Sequence, residues 1–213
     1  MLPIISRIGI TILCINVIIY FIGFFIPEKA YKYFSIYLVC ICVIQVVMDF
    51  FAVHNQNNHF LSNYYLFFQF ILLSLFFYKL FLPVNKIKSK VILIISGVIT
   101  TALLLQYCLY PQNYFTFNSL GFLITSVALI AYAVLYLYEL LSKRLLFHYV
   151  TIGLFIYLIS SALIFASAAS LVNINDDLYV YIWNTNAVLF IIYQLLITWE
   201  WKQQFLPRII RRH

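Results

Sequence analysis

Seven apolar stretches, each about twenty residues long, follow one another along the chain with only short polar segments between them. Twenty apolar residues is about the length at which an α-helix crosses the hydrocarbon core of a bilayer. The alternating pattern of a membrane β-barrel is absent. We therefore expect an all-α, seven-transmembrane helical bundle forming a single integral membrane domain. Its spans are predicted at about residues 8–26, 33–53, 61–82, 91–110, 117–141, 149–172 and 178–201.

Four prolines support these boundaries, because each follows the end of a predicted span. They are Pro27, Pro83, Pro111 and Pro207. A proline at that place does not interrupt a helix, whereas one inside a span removes a backbone hydrogen bond. We expect the last helix to end before Pro207.

Composition excludes a soluble globular domain. The chain is 65% hydrophobic and 9% charged, whereas a soluble domain carries about 25% charged residues. A net charge of +7 would suit nucleic acid, but the basic residues stand beside the spans. There they indicate membrane orientation and contact with anionic lipid. Membrane lipid is therefore the expected partner, and nucleic acid is not expected.

The lysines and arginines divide unequally between alternate loops. With seven spans, all but one of the 13 lie on one side of the membrane, and only Arg7 lies on the other. The positive-inside rule then predicts an N-terminus outside and a C-terminus in the cytoplasm, in a bacterial inner membrane. The basic residues expected to face lipid or a partner protein are Lys86, Lys88, Lys90, Lys143, Arg144, Arg208, Arg211 and Arg212.

Asp49 is the most informative polar residue inside a span, since an ionisable group there costs roughly 2.5–3.5 kcal/mol on insertion scales. It lies about one turn from the outer end of the second span, with Gln45 at i−4 on the same face. One interpretation is a buried acid that binds a ligand amine, a proton or an ion. The other is an acid near the interface that is hydrated or hydrogen-bonded to a neighbouring helix.

The predicted topology gathers further polar residues in the outer half of the bundle. The inner half offers only Glu139, Gln194 and Glu200. This asymmetry favours a small pocket open to the exterior. The alternative is that the amides hydrogen-bond between helices as packing, worth about 0.6 kcal/mol each. The candidate ligand-binding residues are Gln45, Asp49, Asn63, Tyr65, Gln69, Gln106, Trp183, Asn184 and Asn186.

No catalytic residue, metal site or cofactor is expected. His54 and His59 stand five residues apart without a nearby cysteine or carboxylate. The spans contain no HExxH motif, no glutamate pair and no serine–lysine constellation. An enzyme is therefore the least supported class.

Three segments carry a resemblance to a known group: NNHFLSNYYLFFQFILLSLFFYKLF, LFHYVTIGLFIYLISSALIF and VYIWNTNAVLFIIYQLLITWEW. They resemble small uncharacterised seven-helix membrane proteins of Bacteroidota type, which are similar to the membrane-embedded input regions of some sensor histidine kinases. The resemblance implies a sensory role but defines no catalytic residue. Because no kinase domain follows Trp201, a signal would have to pass to a separate protein.

The sequence therefore favours a receptor-like or sensory protein with an outward-facing polar pocket. A small-molecule ligand would bind through Asp49, Gln69, Trp183 and Asn186, and a cytoplasmic or membrane protein partner would receive the signal. Two alternatives stay open. A small permease or channel needs polar groups that continue to Gln194, and an accessory subunit of a membrane complex needs no small ligand.

Overall fold

The computed structural model describes residues 2–24, 26–54, 56–171 and 176–210, and every regular element within them is helical. The seven long helices are α1 (Leu2–Ile22), α2 (Lys29–Val53), α3 (His59–Phe81), α4 (Lys86–Leu109), α5 (Ser119–Ser142), α6 (His148–Leu171) and α7 (Asp176–Glu200). They coincide with the seven apolar stretches, which confirms the all-helical class.

Several helices extend beyond their apolar segments. Helix α4 begins at Lys86 rather than near residue 91, because the Asn85 side chain accepts hydrogen bonds from the backbone N–H groups of Ile87 and Lys88, both at 3.0 Å. Helix α1 begins at Leu2 with Pro3 in its first turn, where the missing proline N–H removes no helical bond. Backbone capping, rather than the hydrocarbon thickness, therefore sets these helix ends.

Five helices among the described residues are long and apolar enough to cross a membrane. They are Ile4–Ile22, Lys29–Val53, Phe60–Phe81, Lys86–Leu109 and Ser119–Ser142. The described apolar part of α6, His148–Ile164, is shorter. On α4, large apolar side chains such as Ile94 and Val98 are each 64% exposed, so this protein presents helices suited to contact with membrane lipid. The count of seven spans and the orientation stay predictions.

The chain forms two compact units. Unit 1 comprises Met1–Ile26 and Ala133–His213, and unit 2 comprises Pro27–Tyr132. Helix α5 thus contributes its first part to unit 2 and its last part to unit 1. The single membrane domain stays a prediction.

In unit 1, α7 packs against both α1 and α6. Glycine allows the close approach of α6, since a β-carbon at Gly153 would lie 3.0 Å from both Tyr193 Cδ2 and Leu196 Cδ1. The Tyr157 and Tyr193 rings stack across the same contact, with centroids 5.5 Å apart. Small and aromatic residues together therefore determine how α6 and α7 fit.

In unit 2, α3 packs against both α2 and α4. Its buried face is aromatic, and Phe76 and Phe77 are each 0% exposed. Phe77 contacts the Tyr132 ring of α5 at a centroid distance of 6.2 Å. The Tyr132 hydroxyl in turn lies 3.1 Å from Ser96 Oγ on α4, which pairs both polar groups inside the unit.

The helical chain does not stop before Pro207, although α7 itself ends at Glu200. It continues through a π-helical segment, Trp201–Phe205, into α8, Leu206–Ile210. Pro207 has no N–H to donate, and its ring would clash with the Gln203 carbonyl in a regular α-helix. The wider π turn accommodates the proline, so the chain remains helical where the sequence predicts a stop.

We expect the two helical glycines at positions 97 and 153 to respond differently to valine. A β-carbon at Gly97 meets no atom within 4 Å, so Gly97→Val should change the free energy of unfolding by less than about 0.5 kcal/mol. Gly153→Val should destabilise the protein by about 1–3 kcal/mol through overpacking against α7. Reversible denaturation in mixed micelles measures both, and equal effects would contradict the α6–α7 contact.

Candidate functional site

The relative position of α2 and α3 is fixed by two pairs of aromatic rings. Phe34 and Phe76 have centroids 5.1 Å apart, and Phe51 and Phe60 have centroids 5.8 Å apart. Both pairs require an antiparallel alignment in which position 45 of α2 lies at the level of positions 65–66 of α3. Position 49 then lies at the level of 61–62.

Four predicted site residues lie at neighbouring levels along this α2–α3 contact. Gln45 and Asp49 are half-buried on α2, and Gln45 shares a face with the fully buried Leu38 at i−7. Tyr65 and Gln69 share the face of α3 that carries Phe76. With the alignment above, Asp49 lies one turn above Gln45 and Tyr65, and Gln69 lies one turn below them. Each step is about 6 Å, so the α2–α3 polar cluster (Gln45, Asp49, Tyr65 and Gln69) extends about 12 Å along the helices.

Gln69 is the buried end of this cluster. Its side chain is 4% exposed, and its Oε1 atom is buried without a hydrogen-bond partner among the described residues. An unpaired buried polar atom costs about 1–3 kcal/mol, so native proteins retain few of them. The Oε1 atom of Gln69 is therefore an acceptor that could take one further hydrogen bond.

Asn63 and Gln106 instead hold the segment between α4 and α5. Asn63 Nδ2 donates to the carbonyls of Tyr114 and Thr116 at 2.7 and 3.1 Å. Gln106 Oε1 accepts from Asn118 Nδ2 at 3.1 Å, while Asn118 Oδ1 caps the first turn of α5. Both predicted ligand residues therefore use their amides to anchor the loop.

Tyr114, in the 3-10 turn Pro111–Phe115, donates a hydrogen bond to the Tyr64 hydroxyl. Donation to that hydroxyl raises the pKa of Tyr114, since the proton is held in the bond. The turn is thus tied to α3 from two sides, through Asn63 and through Tyr64.

Trp183, Asn184 and Asn186 belong to unit 1, whereas the α2–α3 polar cluster belongs to unit 2. All three are half-buried on α7. The Oδ1 atoms of Asn184 and Asn186 are buried without a hydrogen-bond partner in the described part of the chain. These two amides therefore have spare acceptors, as Gln69 does. A joint pocket of Asp49, Gln69, Trp183 and Asn186 stays a prediction.

A buried polar network that the sequence does not predict joins α1 to α7. Asn16 Nδ2 donates to both the backbone carbonyl and the Oε1 of Gln194, each at 2.9 Å. Thr198 Oγ1 donates to Asn16 Oδ1 at 2.8 Å. Asn16 and Gln194 are 0% and 1% exposed, so this network is internal to unit 1. The available signal was a lone asparagine in the middle of an otherwise apolar first span.

A second unexpected junction lies where α6 begins. Glu200 is 0% exposed, and its Oε2 accepts hydrogen bonds from the backbone N–H groups of Tyr149 and Val150 at 2.6 and 3.3 Å. Gln204 Oε1 accepts from the Phe147 N–H at 3.3 Å. Phe147 itself has a φ of 61°, a strained conformation for a bulky residue that costs about 1–3 kcal/mol. The end of α7 thus caps α6 and holds this strain.

The predicted basic residues fall in three places. Lys86, Lys88 and Lys90 lie in the first turns of α4. Lys143 pairs with Glu139 at 3.3 Å, while Arg144 and Arg208 are exposed at the same end of unit 1. Arg211 and Arg212 lie outside the described residues.

These features define an all-helical membrane protein with separate polar clusters in its two units. Among the described residues, no group of three or more His, Cys, Asp or Glu side chains is placed to hold a metal ion. No family model, curated protein or solved structure matches the chain. A functional assignment therefore depends on the geometry of the clusters themselves.

We expect the Asn16–Gln194 pair to behave as a coupled unit. Asn16→Leu or Gln194→Leu alone should lower the free energy of unfolding by about 1–3 kcal/mol, because each leaves a buried partner unpaired. The double variant should lose less than the sum of the two, with a coupling of about 0.5–3 kcal/mol. A double-mutant cycle in mixed micelles measures this coupling, and simple additivity would contradict the network.

Proposed function

We propose that this protein is a seven-helix, receptor-like sensory protein of a bacterial inner membrane, with its N-terminus outside. Seven helices at the seven apolar stretches support the odd number of crossings. The concentration of lysine and arginine in alternate loops supports the orientation. In this arrangement the α2–α3 polar cluster lies in the outer half of the membrane.

The proposed ligand is a small polar molecule with a primary amine. Asp49 supplies a carboxylate near the outer rim, Gln45 and Tyr65 supply polar groups one turn deeper, and Gln69 terminates the site. The observation that carries this proposal is the buried, unpaired Oε1 of Gln69, which is an acceptor for an N–H group of a ligand.

Signal transfer would use the length of α3. The helix carries Gln69 in its first half and Lys79 in its last turn, so a shift of α3 along its axis reaches the opposite membrane surface. There the basic loops with Lys86, Lys88 and Lys90 would contact a separate protein. The resemblance to input regions of sensor kinases agrees with this arrangement.

The permease alternative is less well supported by the geometry. A conducting route would need polar groups that stay available in the inner half, and Gln194 is the central candidate there. Its side chain and backbone carbonyl are both engaged by Asn16. Because Gln194 is hydrogen-bonded to Asn16, its polar groups are not available to line a transport route.

We expect cysteine accessibility to report the orientation. The test uses a variant whose four native cysteines are replaced, with a single new cysteine at one of two exposed positions. Gln112→Cys lies in the 3-10 turn between α4 and α5, and Ser142→Cys lies at the end of α5. A membrane-impermeant maleimide should label Gln112→Cys in intact cells. It should label Ser142→Cys only after permeabilisation. The reverse pattern would contradict the orientation, and labelling of both in intact cells would contradict the odd number of crossings between them.

We expect Gln69→Leu to separate binding from stability. In a thermal-shift assay with a series of small primary amines and amino acids, at least one compound should stabilise the native protein. Asp49→Asn and Gln69→Leu should lose that response. Gln69→Leu should not lower the melting temperature of the ligand-free protein, because it removes an unpaired buried amide.

The matched control is Gln106→Leu, which changes the same residue type in the neighbouring helix. It should lower stability, since Asn118 loses a hydrogen-bond partner, but it should keep the amine response. A full response in Gln69→Leu, or a native protein that responds to none of the compounds, would contradict the proposed site.

A further inference from the structure

The carboxyl group of Glu200 is buried in unit 1, where α7 ends, and the residue is 0% exposed. Its two oxygen atoms have different surroundings. Oε2 accepts hydrogen bonds from the backbone N–H groups of Tyr149 and Val150 at 2.6 and 3.3 Å. Oε1 is buried without a hydrogen-bond partner among the described residues. One oxygen of an ionisable group is therefore held inside the protein with nothing bonded to it.

The ionisable side chains at this end of unit 1 leave Glu200 without a counter-ion. They are Tyr20 of α1, Tyr136 and Glu139 of α5, Lys143 and Arg144 of the following loop, His148 and Tyr149 of α6, Tyr193 of α7, and Lys202 and Arg208 after it. In the described part of the chain, none of them forms a salt bridge with Glu200. Lys143 pairs with Glu139 instead, at 3.3 Å, and Lys202 Nζ lies over the Trp199 ring. A negative charge on Glu200 would therefore not be offset by a cation.

The arrangement at Glu200 fits a carboxylic acid better than a carboxylate. In the acid, a carbonyl oxygen accepts both N–H groups, as Oε2 does, and the hydroxyl occupies Oε1. In the carboxylate, Oε1 shares a negative charge out of contact with solvent, and burial of an ion costs several kcal/mol. The N–H groups of α6 attract that charge, by about 1.5–3 kcal/mol for each hydrogen bond to a charged group. Because these opposing contributions are similar in size, a change of pH can exchange the two forms.

The same carboxyl group lies in the junction that attaches the C-terminal segment to α6. Gln204 Oε1 accepts a hydrogen bond from the Phe147 N–H at 3.3 Å. The Phe205 ring is 0% exposed, and its centroid lies 5.0 Å from that of Phe147. Phe147 has a φ of 61°, so these contacts also hold a strained backbone. A change in the charge of Glu200 therefore acts on a junction that is already under strain.

We propose that Glu200 is a proton-binding site and that loss of its proton loosens the junction between the end of α7 and the start of α6. In the proton exchange, the Oε1–H bond breaks, the proton passes to water, and the carboxylate remains. The charged side chain is then drawn towards water, away from the N–H groups of Tyr149 and Val150. Rebinding of the proton restores the junction. This site is separate from the proposed amine pocket, which depends on residues of unit 2.

The first test measures reversible unfolding of the full chain in mixed micelles from about pH 5 to pH 9. This range lies above the pH of about 4.3 at which an unfolded glutamate releases its proton. The folded protein then binds one proton more than the unfolded chain, so its stability should fall as the pH rises. The equilibrium constant for folding should fall by at most about tenfold per pH unit, which is the limit for one proton.

Two variants assign this pH dependence to one side chain. E200Q has the shape of the acid and cannot ionise, so it should fold and lose the dependence. The matched control E139Q changes the same residue type where Lys143 already supplies a cation, and it should keep the native dependence. The infrared C=O stretching band of a protonated carboxylic acid should contain a component that native protein and E139Q share and that E200Q lacks.

Hydrogen exchange in the native protein tests the loosening without a variant. After correction for the intrinsic rate, exchange of the Tyr149 and Val150 N–H groups should rise by about tenfold or more across the same pH range. The first turn of α4 is the control, because its N–H groups are capped by the non-ionisable Asn85 side chain, and it should show no such rise. A pH dependence of stability that persists in E200Q, or equal changes in exchange at α4 and α6, would overturn the proposal.

Discussion

Pairing of polar groups in apolar surroundings is the constraint on which the arrangement of these helices depends. Where water is excluded, each amide or carboxylate must find its partner within the protein. The hydrogen-bond partner of Asn16 lies on α7, 178 positions away in sequence. The partner of Glu200 lies in the first turn of α6. These bonds join α1, α6 and α7 of unit 1 at specific heights, in addition to the close packing of small and aromatic residues between α6 and α7.

The functional interpretation follows from the places where pairing is incomplete. Gln69, Asn184 and Asn186 each keep a buried acceptor without a partner among the described residues, whereas the Oε1 atom of Gln106 accepts a hydrogen bond from Asn118. The same residue types thus divide into anchors and candidates for ligand binding. An unpaired acceptor at Gln69 costs free energy, and the amine ligand that we propose would supply the missing donor.

Helix positions could be predicted from the sequence because a hydrophobic stretch of sufficient length has only one stable form in lipid. The start of α4 at Lys86 was not predicted, although asparagine is among the residues that favour the position before a helix. The hydrogen-bond partners of the polar residues could not be predicted from the sequence. Gln69 and Gln106 look equivalent in sequence, and only the return of the chain after α4 brings Asn118 to one of them. Glu200, next to Trp199 and Trp201, has the pattern of an interfacial anchor, yet its partner is a backbone 51 positions away.

The π-helical segment after Glu200 determines how α8 is rotated about the helix axis relative to α7. Such a turn contains one residue more than an α turn, and each residue in an α-helix corresponds to a rotation of about 100°. A regular α-helical turn in its place would rotate α8 by about that angle relative to α7. Glu200 precedes this segment and Gln204 lies within it, and both accept backbone N–H groups at the start of α6. The extra residue therefore sets the rotation at which Gln204 reaches Phe147.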